Sequence, residues 1–173
     1  MLRLEKVTGN NVWDILQLKV RDDQKDFVAG NDVSIIEAYT AITGGGYAFP
    51  FGLYEEDKPV GFLMIGFDTD EYWDDAPEIA KGNYNLWRLM IDQQEQNKGY
   101  GKEAVRLALQ FISTQPCGSA PYCWLSYEPE NVTARGLYSS FGFRETGDMD
   151  GDEVIAVLKL LLWQINLAKC LKI

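Results

Sequence analysis

The stretch Gln96-Asn97-Lys98-Gly99-Tyr100-Gly101-Lys102 places two glycines one residue apart, just ahead of a run with helical periodicity. Glycine at 99 and 101 lets the backbone take positive φ and come close to a ligand. Successive amides from Asn97 to Lys102 would then form a concave nest at a helix N-terminus, where the helix dipole favours an anion. Lys98 and Lys102 add local cations, or are simply solvated. Further along, Asn131 and Tyr138 are seven residues apart. That is two turns of one predicted helix, so both side chains fall near one face. Ala134 and Gly136 between them are small and leave room for something to pass close to that helix.

Three readings of the glycine loop compete. A P-loop requires Gly-x-x-x-x-Gly-Lys-Ser/Thr, and it fails here because Glu103 follows Gly101-Lys102 and Gln96 stands in place of the first glycine. A dinucleotide fingerprint is met by Gly99-x-Gly101-x-x-Ala104, with Glu128 in the range of a ribose-binding acid. Against it, six polar residues, Gln93 to Lys98, separate the strand from the first glycine. Two helices and a hairpin also precede a motif that normally opens its unit. The third reading is a plain turn joining a strand to a helix.

The elements that must position these residues follow from periodicity. Asn10 or Asn11 caps a helix through Val12, Ile15, Leu16 and Val20, and Asp32 or Ser34 caps a second through Ile35, Ile36, Tyr39 and Ile42. Gly44, Gly45 and Gly46 end it. The runs YAFPFGLYEE and VGFLMIGFD, joined at Glu56-Asp57-Lys58-Pro59, read as a β-hairpin, and Asp68 to Gly82 as an acidic loop. Tyr84 to Asp92 is apolar on both faces and so reads as a central strand. A helix over Glu103 to Ile112, a strand over Tyr122 to Tyr127, a helix from about Asn131 to Phe141 stopped by Gly142, and a last strand over Val154 to Leu160 complete the series. Residues 1–160 are expected to form one domain, with an apolar tail over 161–173 of uncertain origin.

Sixteen Lys and Arg against 26 Asp and Glu give a net charge of −10. That excludes the clustered cations a nucleic-acid binder needs and suits a small cationic partner. The chain has no His, which removes His-based triads, a His base and His-rich metal sites. Cys117, Cys123 and Cys170 are odd in number and lack CxxC spacing, so free thiols are expected rather than disulfides or zinc. With no bilayer-length apolar run and no signal-like N-terminus, the expectation is a cytoplasmic protein without a membrane partner, with a homodimer left open.

The pattern Gln96-x-x-Gly99-x-Gly101, after a strand ending Met90-Ile91-Asp92 and before an amphipathic helix, resembles the coenzyme A loop of the GNAT acetyltransferase superfamily. The stretch LWRLMID…YGKEAV is similar to bacterial spermine/spermidine N-acetyltransferases. The resemblance runs from the first helix pair through the last strand. It implies an α/β fold of α+β character, with a mixed, mostly antiparallel central sheet flanked by helices. It implies acetyl-CoA as co-substrate, held by Leu89, Met90, Ile91, by Gln96, Asn97, Lys98, Gly99, Tyr100, Gly101 and Lys102, and along the pantetheine arm by Asn131 and Ala134. It makes Tyr138 the acid that protonates the departing thiolate, while a core aromatic beside Phe141 and Phe143 stays open. It also implies a bulge near Leu89 to Ile91 that frees N–H groups for the thioester oxygen, and no metal.

The acceptor expected from the charge and the resemblance is a primary amine such as spermidine or spermine. Asp22, Asp23, Asp26 and Glu37 would line its cleft, with Trp87 or Tyr39 packing on its methylenes, although a charge-rich helix connection can equally be a solvated surface. No residue is singled out as the base; Glu128 and Asp92 are adjacent in the chain to the chemistry. An aminoglycoside-like or protein amine, a non-catalytic acyl-CoA binding domain and a dinucleotide enzyme remain alternatives.

Overall fold

The run Val60 to Ile65 is apolar at every position, as a strand covered on both faces must be. A computed structural model describes residues 1–161 of the protein; the apolar tail, from 162 on, lies outside the described residues. The run forms the middle of strand β3 (Lys58–Phe67), where Leu63 and Ile65 enter one buried cluster while Phe62 and Met64 enter another across the sheet. Its neighbours are β1 (Leu2–Lys6), β2 (Tyr47–Glu55), β4 (Tyr84–Ile91), β5 (Tyr122–Tyr127), β6 (Arg144–Asp150) and β7 (Glu153–Lys159). They form one sheet in the order β1-β2-β3-β4-β5-β7-β6, in which every pairing is antiparallel except β4 with β5. Helices cover both faces, so the sheet is mixed, mostly antiparallel and flanked by helices, as expected.

Helix α3 (Tyr100–Ser113) buries Ala104, Val105, Ala108, Leu109 and Ile112 in the larger cluster, and α4 (Val132–Ser140) adds Tyr138 to it. On the opposite face, α1 (Val12–Ile15) and α2 (Asn31–Thr43) contribute Ile15, Ala38 and Ala41. No helix among the described residues is long and apolar enough to cross a membrane.

Several local expectations change. The first helix stops at Ile15 instead of running to Val20. The backbone of Lys19 is drawn off to the end of β4, its N–H donating to Asp92 (3.0 Å) and its carbonyl accepting from Gln93 N–H (2.7 Å). Gly30, not Asp32 or Ser34, occupies the N-cap of α2. There Asn31 is buried and donates to the Ile15 carbonyl (2.8 Å), tying the two helices together. The acidic connection Asp22–Phe27 is a 3-10 helix.

Two strands were not expected. β1 is a five-residue edge strand at the chain's start, and β6 is polar but for Met149 and almost wholly exposed, held in place by pairing with β7. What anchors β6 to the rest is Glu145. It accepts two bonds from the Arg135 guanidinium (2.6 and 2.9 Å) and one from the Tyr127 hydroxyl (2.8 Å), joining β6 to α4 and β5. Arg135 first, then Tyr127, hold the Glu145 carboxyl down from its ordinary 4.5 to about 2. A carboxylate depressed on folding contributes stability above its unfolded pKa and loses it as pH falls toward the folded one. Stability is therefore expected to decline between pH 4.5 and about 2 partly through this group. In acid unfolding followed by circular dichroism, Glu145→Gln should flatten that decline; an unchanged slope would show that the cluster contributes nothing.

Candidate functional site

β4 and β5 are paired only at Tyr84↔Cys123 and Asn85↔Trp124. Beyond Asn85 the two parallel strands part, leaving one edge of β4 without a partner strand. The register of β4 against β3 also slips, from Ile65↔Leu86 to Met64↔Arg88, so Trp87 is the extra residue of a bulge. The bulge thus falls at Trp87 and not at Leu89 to Ile91. A cleft of about 1000 Å³ occupies the gap, lined by Leu89, Met90 and Ile91 on one wall and by Tyr127, Asn131, Ala134 and Tyr138 on the other.

One end of the cleft is the N-terminus of α3. Asn97 (φ 64°) and Gly99 (φ 83°) both adopt the left-handed conformation, bending the chain into a nest. The N–H groups from Asn97 to Lys102 meet no protein acceptor among the described residues. Gly101 has ordinary helical backbone, and a Cβ there would meet only Leu137 at 3.6 Å. Neither backbone strain nor crowding within the protein requires glycine at 101; its effect is to leave the helix end bare.

The two lysines of the loop differ. Lys98 pairs with the buried Glu95 (2.7 Å), which Lys58 also holds (2.6 Å). Lys58 first and Lys98 next keep the Glu95 carboxyl below the usual carboxylate range. Lys98 is thus spent on the fold and does not line the cleft. Lys102 does line it, and forms no ion pair among the described residues. Tyr100 turns its hydroxyl to Glu55, which pushes the phenol up to about 12.

Gln96 works as a clasp. Its amide nitrogen donates to the Ile91 carbonyl (3.1 Å) and to Gln24 (2.7 Å), while its oxygen accepts from Arg21 (3.0 Å). The end of β4, the loop and the 3-10 helix Asp22–Phe27 are joined through this one side chain.

On α4, the Asn131 oxygen caps the helix by accepting from Ala134 N–H (3.0 Å), which leaves its amide N–H₂ uncommitted. Tyr138 is nine-tenths buried, with its ring against Tyr127 and Phe143, both at 5.9 Å. Tyr138 lines the cleft, and its hydroxyl makes no hydrogen bond among the described residues. Burial raises the phenol well above its ordinary value, with smaller contributions from Cys123, Glu153 and Tyr127. It is therefore protonated at any working pH. Burial also pushes the Cys123 thiol, in the core, up to about 12.

The carboxylates expected on the acceptor side divide. Asp26 and Trp87 line the cleft. Asp22 faces solvent beside Lys25 (2.5 Å), and Glu37 is held bidentately by Arg88 (3.0 and 3.1 Å); neither lines the cleft. Asp75, Asp150 and Glu153 line it instead, together with Trp73. They come from the acidic loop and from either side of the β6–β7 turn. The local signal is the turn-forming Asp150-Gly151 ahead of the apolar run Val154 to Leu158, which marks a turn but not what pairs across it.

The pattern of the Acetyltransferase (GNAT) family matches residues 13–143, which takes in the nest, the clasp and Tyr138. The chain belongs to the GNAT acetyltransferase family. It is 30% identical over 160 residues to a spermine/spermidine N(1)-acetyltransferase of Bacillus subtilis, covering 89% of this chain and 96% of that protein. Among solved structures, an aminoglycoside acetyltransferase in complex with coenzyme A superposes with a TM-score of 0.71 at 16% identity, over 92% of this chain and 95% of the other. A PaiA N-acetyltransferase from Thermoplasma acidophilum, also with coenzyme A, gives 0.62 at 12% identity, over 92% and 99%. These likenesses establish the fold of this GNAT acetyltransferase.

The clasp generates a test of the loop itself. Gln96→Ala should accelerate amide hydrogen exchange at residues 93–95, whose N–H groups are bonded to Lys19 and Asp92, while the interior of α3 stays protected. Unchanged exchange in the loop would mean that Gln96 does not hold it.

Proposed function

We propose that this GNAT acetyltransferase moves the acetyl group of acetyl-CoA directly to a primary amine, and that the amine belongs to a polyamine such as spermidine or spermine. The observation that carries the reading is the pairing, in one cleft, of a bare helix N-terminus with a buried tyrosine hydroxyl that lacks a partner. Residues 1–160 would act as one catalytic domain. The similarity to the Bacillus enzyme over most of both chains supports the acceptor class.

The bare N–H groups from Asn97 to Lys102 and the Lys102 ammonium suit a pyrophosphate. Asn131 has an amide N–H₂ to offer the pantetheine arm, which Ala134 lets pass. The unpaired edge of β4 beyond Asn85 supplies backbone N–H groups that would hold the thioester oxygen as charge develops on it.

A polyamine nitrogen has a pKa of about 10 and arrives as an ammonium. It must first lose a proton to a carboxylate or to water. The neutral nitrogen then forms a bond to the carbonyl carbon, the carbon–sulfur bond breaks, and Tyr138 gives its proton to sulfur. The excess proton on the new amide nitrogen restores Tyr138. The balance is one amide, one free thiol and one proton released per turnover.

Tyr138→Phe should lower kcat about 100-fold, the scale of a general acid, with KM for acetyl-CoA changed by less than about threefold. Steady-state thiol release measures both; an unchanged kcat would remove the acid role. Thiol release should be fastest with spermidine or spermine among polyamines, aminoglycosides and lysine peptides. Preference for another member of that panel would move the acceptor class and leave the chemistry intact.

A further inference from the structure

The cleft is electrically two-ended. Lys102 and the start of α3 face one end; the other carries Asp75, Asp150 and Glu153. The charges of Glu153 and Asp75 both reach Asp150. Burial raises the half-buried Asp150 carboxyl, and these two charges raise it further. The cation at that end, Arg88, is occupied by Glu37. Next to the carboxylates, the half-buried indoles of Trp73 and Trp87 lie parallel, with centroids 6.4 Å apart and planes within 7°.

Acidic clusters on a surface are usually only solvated, and a second feature distinguishes this one. Tyr138, nine-tenths buried and with its hydroxyl unpartnered among the described residues, opens into the same cleft, close enough to Glu153 for that charge to act on its phenol. A donated proton and a cation are therefore wanted at the same place.

We infer that the acceptor is bound by Asp75, Asp150 and Glu153, on the far side of the cleft from Lys102, as a linear chain carrying several positive charges. The inference rests on the amine-acetylating reading and adds where the acceptor lies and what selects it. The reacting nitrogen sits near Tyr138 and Glu153. The nitrogens that are not acetylated meet Asp150 and Asp75, and the methylenes between them lie on Trp73 and Trp87. Selection is by the number and spacing of charges, because carboxylates in series reward each added ammonium, whereas a monoamine can use only one.

Asp75→Asn and Asp150→Asn remove charge without removing volume, and Asp75 is an exposed loop residue whose substitution leaves the core alone. Calorimetric binding of spermidine to the full chain and steady-state acetylation are read together. Spermidine Kd and KM should rise about tenfold for Asp150→Asn, the loss of one ion pair partly shielded from water, and about threefold for the more exposed Asp75→Asn, with kcat within about threefold and coenzyme A affinity unchanged. KM for a monoamine such as butylamine should move far less. Asp57→Asn, on the β2–β3 turn, should change none of these. Variants that bind spermidine as wild type does would overturn the inference, as would a wild type that binds none. Binding that depends on these carboxylates without acetyl transfer would leave the inference standing and sink the polyamine reaction instead.

Discussion

The parting of β4 from β5 is the constraint on which the site depends. Parallel strands normally continue their ladder, and an unpaired edge in a protein interior carries N–H and carbonyl groups that must find partners. Here the ladder stops after Asn85, and the bulge at Trp87 steps β4 out of its register with β3. The groups left over are not covered by a helix or a loop. They line a cleft, where they are open to solvent or to a ligand that lies along the strand. Everything else in the site is arranged around that opening: α3 begins at one mouth, α4 forms a wall, and the β6–β7 hairpin closes the far side.

Holding such an opening requires ties that do not cross it. Gln96 joins the end of β4 to the loop and to the 3-10 helix, and Glu145 joins β6, α4 and β5. Both are exchanges among polar groups near the surface, where single pairs contribute little by themselves. Their value lies in geometry. They fix where the nest and Tyr138 stand relative to strands that no longer bond to each other.

The end of the cleft formed by the starts of α3 and α4 was legible in the sequence, and the far end was not. Gly99, Gly101, Asn131 and Tyr138 sit in local patterns whose consequences are set by a turn or a helix, so spacing alone places them. The sheet's middle was equally clear, because β3 and β4 are apolar on both faces. β6 has no apolar period at all; only its partner β7 makes it a strand. For the same reason Asp75, Asp150 and Glu153 could not be collected from spacing, since they belong to segments brought together by that hairpin. Gln96 was read as part of an anion loop, whereas its side chain is turned inward to Gln24 and Arg21. Local periodicity does not reveal which way a polar side chain in a loop will turn.

The carboxylates along the far end of the cleft have a consequence for turnover. On the proposed reading they would hold a cation through charge, and acetylation would convert an ammonium into a neutral amide. The product therefore leaves with one attraction fewer than the substrate had on arrival. A wall built to gather a polycation loosens its own hold at the moment of reaction, so release of the acetylated amine is aided by the chemistry that made it. By the same reasoning a doubly acetylated chain would have still less for the carboxylates to grip.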